Sequence, residues 1–294
     1  MALRSLLKHA LDNDDVVALA RDGGEAFVSP SLRAYLIAAL LDANDTPGPA
    51  LVVAGDDRGA RDLAADLKVW LDPRPVRFYP SRGVAYESHL APPAHLVGLR
   101  VAALDALLDA DPTDPDAPVV VVSTVALSEK VPDPALRPHG LRLAVGDLVD
   151  IDELATDLVA AGYERVDQVQ DRGQFAVRGG LVDLFGATEE NAVRVDLFGD
   201  EIESLRWFST FSQRSLGDTE AVEVSPAAEL DAQTRELAEM AALEGVDARP
   251  DVAELLPVEN FKAFLELVPE SAVTILAAEE EIAPALADLS LIHI

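Results

Sequence analysis

Arg178, Arg194 and Phe198 are the residues of this chain whose types and spacing suggest a specific chemistry, and that chemistry is recognition of a protein surface. They sit in VRGGLVDLFGATEENAVRVDLFGDEIESLRWF, residues 177–208. In AVRVDLF the two-residue period of a strand puts Val193, Val195 and Leu197 on one face and Arg194, Asp196 and Phe198 on the other. In FAVRG the same period turns Val177 inward and Arg178 outward. A guanidinium fork can pair bidentately with carboxylates of a partner, and an exposed ring beside it supplies the apolar anchor, which is the composition of an interface hot spot. A structural reading competes. Asp183 and Asp196 could pair with these arginines across strands, and Phe198 could lie under the helix that opens this part of the chain. Composition alone tips the balance slightly toward that second reading.

Catalytic signatures fail on inspection. The five histidines (His9, His89, His95, His139 and His293) form no His-x-His or His-Glu-x-x-His spacing. DNDDVVALARDGG has the acids of a calcium loop but carries Val16 at a ligand position, so it reads as a solvated turn. Gly-x-Ser-x-Gly is missing. With no cysteine, thiol chemistry, disulfides and Cys-ligated metals are excluded. A phosphate loop needs glycines that let the backbone wrap an anion and a lysine that reaches its charge. The first strand-to-helix junction, FVSPSLR (Val28–Arg33 at its centre), has neither, and Gly23-Gly24 precede the strand. The reading is a nucleotide-binding-type scaffold with an empty site and no cofactor.

The elements that must position these residues are legible from periodicity. EAFVS predicts a short strand and Ser29-Pro30 a helix start. PALVVAGD and APVVVVSTVALS are the continuous apolar runs of buried parallel strands. SLRAYLIAALLDAN, DRGARDLAADLKVWL and AHLVGLRVAALDALLDA are helices, and VRFYPS is a strand. Strands alternating with helices predict an α/β, doubly wound, mostly parallel domain. Beyond Pro138-His139-Gly140 the style changes. LRLAVGDLVD reads as a strand, IDELATDLVAAGY as a helix closed by Gly162, and then QFAVRG, LVDLFG, AVRVDLFG and IESLRWF follow a period of two, the pattern of an antiparallel sheet. Helical period returns in ELDAQTRELAEMAALEG and near VENFKAFLELV, and AVTILAAEEEIAPAL reads as a strand leading into a helix. The expected organisation is residues 1–140 as the first part of the α/β domain, 141–226 as an inserted small β-rich α+β domain, and 227–294 as a truncated return to the first.

Charge bounds the partners. The 294 residues include 53 acidic and 23 basic ones, a net charge of −30. A polyanion is opposed by that balance, so direct binding of DNA by this segment is expected to be negligible. No apolar run of membrane-spanning length occurs, which makes a soluble cytoplasmic protein the expectation. The closing LSLIHI has no capping signal and reads as foreign to the rest.

AAGYERVDQVQDRGQFAVRGGLVDLFGATEENAVRVDLFGDEIESLRWFSTFSQRSL resembles the UvrB-like amino-terminal module of the bacterial transcription-repair coupling factors, the Mfd family. GY-x-R-VDQV, RG-x-FAVRGG-x-VD-x-F and VRV-x-x-F-x-DEIESLR-x-F together are highly specific, and FYPSRGVAYESHLAPPAHLVGLRVAAL and VVVVSTVALSEKVPDP extend the likeness more weakly over most of the chain. The resemblance implies a β-rich domain that docks onto UvrA through Arg178, Arg194 and Phe198. It implies a non-catalytic adaptor for nucleotide excision repair. The family's RNA-polymerase-binding domain and its ATP-dependent, DNA-translocating motor would lie outside these residues. UvrB, an ATP-dependent damage-recognition subunit, shares the docking domain and is the alternative. It carries an intact phosphate loop and a tyrosine-rich DNA hairpin, whereas the matching stretch here has only Tyr79 and Tyr86. An unrelated structural α/β domain, its arginines engaged only in salt bridges, is the third reading.

Overall fold

The computed structural model describes residues 3–43, 47–83, 92–230, 261–278 and 280–285. In chain order its elements are α1 (Asp14–Asp22), α2 (Pro30–Ala43), β1 (Ala50–Ala54), α3 (Asp57–Leu71), β2 (Val76–Tyr79), α4 (Ala94–Leu108), β3 (Val119–Ser123), α5 (Thr124–Ser128), β4 (Lys130–Pro132) and β5 (Leu141–Ala144). There follow α6 (Ile151–Ala160), β6 (Glu164–Arg165), β7 (Gln174–Arg178), β8 (Leu181–Phe185), β9 (Ala192–Phe198), β10 (Glu201–Phe208), β11 (Ser215–Thr219), β12 (Ala221–Val224), β13 (Phe261–Ala263) and β14 (Val273–Leu276). The chain divides into two compact units, one drawn from Met1–Ser81, Ala103–Lys130 and Ala263–Ile294, the other from Arg82–Ala102 and Val131–Lys262.

The first unit is built on a parallel sheet in the order β14-β1-β3-β2. Every residue of β1 and β3 is buried, which is why these strands read as unbroken apolar runs rather than alternating ones. Ala50, Val52, Val119 and Val121 share one core with α2 and α3, whose contribution includes Leu63, Leu67 and Leu71 at helical spacing. Asp56 caps α3 by accepting from the Gly59 amide at 2.6 Å.

Three expectations need correction here. EAFVS forms no strand: residues 23–29 have no regular structure and Phe27 is fully exposed. Gly23 and Gly24, at φ 71° and 138°, lead into it, and its one large ring gains no burial that would reward pairing. The first strand of the sheet is therefore β1. DNDDVVALARDGG is mostly helix, because the Asn13 side chain caps α1 by accepting from the Asp15 amide at 2.9 Å. VENFKAFLELV is not an α-helix over its described part. Phe261–Ala263 is a strand and Phe264–Leu267 a short 3-10 helix, with Phe264 packed against Tyr79 at 4.6 Å between ring centroids. Of ELDAQTRELAEMAALEG all but Glu229 and Leu230, like LSLIHI and Tyr86, lies outside the described residues.

The second unit holds a six-stranded sheet in the order β11-β10-β9-β8-β7-β6, antiparallel except for the β6–β7 pair. On its inner face Phe175, Val182, Leu184, Val193, Val195, Leu197, Ile202 and Leu205 pack with Leu154 and Leu158 of α6 and with Leu143, Val222 and Val224 of the β5–β12 pair. The chain is thus mixed α/β, with one parallel sheet and one β-rich sheet.

Helix α6 starts at Asp150, whose carboxylate accepts from the Asp152 and Glu153 amides at 2.8 and 3.0 Å. It ends in a Schellman turn, with Tyr163 N–H donating to Leu158 O at 2.9 Å and Gly162 N–H to Val159 O at 3.0 Å. Gly162 has φ 96°, and a Cβ there would stand 2.5 Å from the Ala228 methyl and 2.7 Å from the Ala228 nitrogen. Gly162→Ala is expected to destabilise this unit by at least about 2 kcal/mol, since left-handed strain and overpacking add. Urea unfolding followed by Trp207 fluorescence would measure it, and an unchanged midpoint would contradict that account.

Candidate interaction surface

The outer face of the six-stranded sheet is set by register. Asp183 of β8, Arg194 of β9, Arg206 of β10 and Asp218 of β11 pair in one row. Arg178 pairs with Leu181, Leu181 with Asp196, and Asp196 with Ser204 in the next. Because opposed residues of a sheet project to the same side, Arg178, Arg194, Asp196 and Phe198 share this face. Arg178 stands two strand spacings, roughly 10 Å, from Asp196. The alternation expected for AVRVDLF is the one observed: Val193, Val195 and Leu197 are buried, and Phe198 is 80% exposed. Among the described residues no helix covers Phe198.

Arg194 is held from two sides. Its Nε and Nη2 donate to the two carboxylate oxygens of Asp183 at 2.6 and 2.8 Å, and its guanidinium lies 4.8 Å from the centroid of the Phe208 ring. The hydrogen bonds it donates to Asp183 raise its pKa further, so the charge is permanent. Phe208 belongs to a small buried cluster on this same side with Val169, Ala176 and Ala192. The cross-strand pairing weighed for Asp183 is therefore realised with Arg194, and one quarter of the Arg194 side chain still reaches solvent.

Arg178 is exposed and donates through Nε and Nη2 to the Asp167 carbonyl at 3.2 and 2.7 Å. Among the described residues no carboxylate pairs with it, so its charge is oriented but not neutralised. Asp196 pairs with Arg206 at 3.0 Å instead. Arg206 was not singled out from sequence. A register shift between Ile202 and Ser204 resets the alternation of β10, so that Leu205 and Trp207 turn inward and Arg206 outward. A strict two-residue count from Ile202 gives the reverse.

The other location to inspect is where a phosphate would sit in a parallel α/β sheet, at the carboxyl ends of its strands. Val28–Arg33 is not preceded by a strand, so the relevant junction is Ala54–Asp57. There the Asp57 carboxylate accepts from the Ser81 amide at 3.1 Å, from the Ser81 hydroxyl and from the Ser123 hydroxyl at 2.6 Å. Thr124 donates its hydroxyl to the Ala54 carbonyl at 3.0 Å. The Asp57 carboxylate, just past β1, thus takes the hydroxyl donors at the ends of β2 and β3.

The family described as "UvrB interaction domain" matches residues 141–230, which span β5 to β12 and contain the whole outer face. These residues belong to the UvrB interaction domain family. The chain is also homologous to transcription-repair-coupling factors. It is 33% identical over 225 residues to that of Bacillus subtilis (strain 168), covering 76% of this chain and 18% of the relative. It is 38% identical over 205 residues to that of Mycobacterium bovis, covering 67% and 16%, and 33% identical over 182 residues to that of Escherichia coli (strain K12), covering 62% and 15%. The chain spans less than a fifth of the length of these relatives. Within the UvrB interaction domain, Arg178 ends β7, Arg194 lies mid-strand in β9 and Phe198 closes β9 at its turn. Among the described residues no helix is long and apolar enough to cross a membrane.

Proposed function

We propose that this chain is a UvrA-recruiting adaptor for nucleotide excision repair coupled to transcription, and that it performs no chemistry itself. The observation that carries the reading is an 80% exposed Phe198 on the same strand face as an arginine fixed by a bidentate ion pair, on the outer face of a UvrB interaction domain. An exposed ring on a rigid strand end loses little freedom on binding, and a guanidinium clamped through Nε and Nη2 presents its remaining Nη1 edge in a fixed direction. Arg178, Arg194 and Phe198 form the contact in this reading. In this reading RNA polymerase and DNA would be engaged by other parts of a longer protein. Mixing the purified chain with UvrA and following complex formation by calorimetry tests the reading, and the absence of any complex at tens of micromolar would overturn it.

The parallel-sheet unit is, in this reading, a doubly wound nucleotide-binding-type scaffold whose site has lost its function. Its supports are the absence of a G-x-x-x-x-G-K-[ST] sequence at the Ala54–Asp57 junction and the Asp57 carboxylate at the strand ends, which would repel a phosphate. Titration with a fluorescent ATP analogue is expected to give no saturable signal. A micromolar isotherm would instead favour an ATP-dependent enzyme of UvrB type.

A further inference from the structure

Leu148 is 79% exposed and its position in the fold gives that exposure a meaning. It forms a bridge with Glu201, and Glu201 pairs with Phe198 across the β9–β10 turn. Opposed residues point to the same side of a sheet, so Phe198, Glu201 and Leu148 make one row at the end of the outer face, next to the row that holds Asp196. Two large apolar side chains, each about four-fifths exposed, therefore flank a single exposed carboxylate.

The loop that carries Leu148 is held rigidly. Gly146 N–H donates to Ile202 O at 2.9 Å, Ile202 N–H to Asp147 O at 2.9 Å, and Val149 N–H to Asp200 O at 2.7 Å. The Asp147 carboxylate closes the turn by accepting from the Ala144 amide at 2.8 Å. Gly199 at φ 64° has the sign that a type II′ hairpin needs at its first central position. Residues 144–149 and the β9–β10 turn thus form one stitched unit, which fixes the direction in which each apolar side chain leaves the backbone. Soluble proteins scatter single exposed apolar residues freely, but two presented in one row of a fixed frame, on either side of one carboxylate, fit a contact.

We propose that Leu148 is a second apolar anchor of the UvrA contact, and that the UvrA patch seated here is apolar with a cationic side chain facing Glu201. This rests on the adaptor reading above and adds a residue and a chemistry to it. Leu148 belongs to the 144–149 loop rather than to the strands that carry the arginines, so the contact extends past β10 along the end of the sheet.

The test is UvrA binding by the full chain carrying Leu148→Ala, Phe198→Ala, or both, with thermal unfolding of each variant measured alongside. Leu148→Ala is expected to weaken binding about fivefold to tenfold, less than Phe198→Ala, because leucine is a weaker hot-spot residue than an aromatic one. The double variant should lose less than the product of the two single losses if both side chains seat in one patch of UvrA. Leu148→Lys should weaken binding further by placing a cation where the partner presents one. Parental affinity in Leu148→Ala, with Phe198→Ala impaired, would overturn this proposal and leave the adaptor reading standing. No binding by the parent chain would overturn both.

Discussion

Phe198→Ala is expected to weaken the complex with UvrA by about 2 kcal/mol or more, roughly thirtyfold, while leaving stability within about 0.5 kcal/mol of the parent. The separation follows from burial. An 80% exposed ring contributes little to folding and has most of its surface left to give to a partner. Arg194→Ala is a less clean probe than the sequence suggests. Asp183 is only 4% exposed, and removing the arginine strands its carboxylate, a loss expected to cost about 2–3 kcal/mol of stability. Replacing both members, as in Arg194→Met with Asp183→Leu, removes the charge while keeping the volume, which in buried pairs is often close to neutral. If that double variant folds like the parent and binds UvrA like the parent, Arg194 serves the fold and not the contact. Calorimetric affinities paired with melting curves decide it.

Arg100→Ala is expected to destabilise the β-rich unit by about 3–5 kcal/mol, the largest effect on folding anticipated for the chain. Arg100 is 1% exposed, and its Nε donates to Glu229 Oε1 at 2.6 Å, with that side chain 8% exposed. Burial alone would raise the Glu229 pKa. Attraction to Arg100, Arg82 and Arg137 and the hydrogen bond from Arg100 outweigh it, and the carboxyl is held below its usual range. The direction fixes the pH dependence. A carboxyl that is more acidic in the folded state contributes its full stabilisation above the unfolded value, about pH 4.3, and loses it as pH falls through the lower, folded value. Glu229→Gln should therefore flatten the acid limb of a stability–pH profile. A parent and variant with parallel acid limbs would rule that out.

What the sequence disclosed, and what it did not, divides along one physical line. β1, β3, α3 and α6 were readable because their signals are local: an unbroken apolar run, a helical period, Gly162 as the closing residue. The outward placement of Arg194 and Phe198 was readable for the same reason, since a regular strand alternates. EAFVS failed because three apolar residues do not say whether a neighbouring strand exists to pair with them. Arg206 and Leu148 were hidden because one depends on a bulge in β10 and the other on a bridge to Glu201, more than fifty residues distant in sequence. That Asp183 would be nearly sealed depends on neighbours from other strands, Arg194 of β9 and Ala176 of β7, a matter of packing that no count along a single strand contains.

The Asp57 carboxylate bound by Ser81 and Ser123 has a consequence of a different sort. A scaffold whose strand ends grip an exchangeable phosphate is stabilised by mass action, and its melting temperature climbs with ligand concentration. Here the anion is covalently part of α3, present at fixed stoichiometry and at an effective concentration that no dilution changes. The parallel-sheet unit should consequently melt at the same temperature in a starved cell extract as in millimolar nucleotide, indifferent to the energy state of its surroundings.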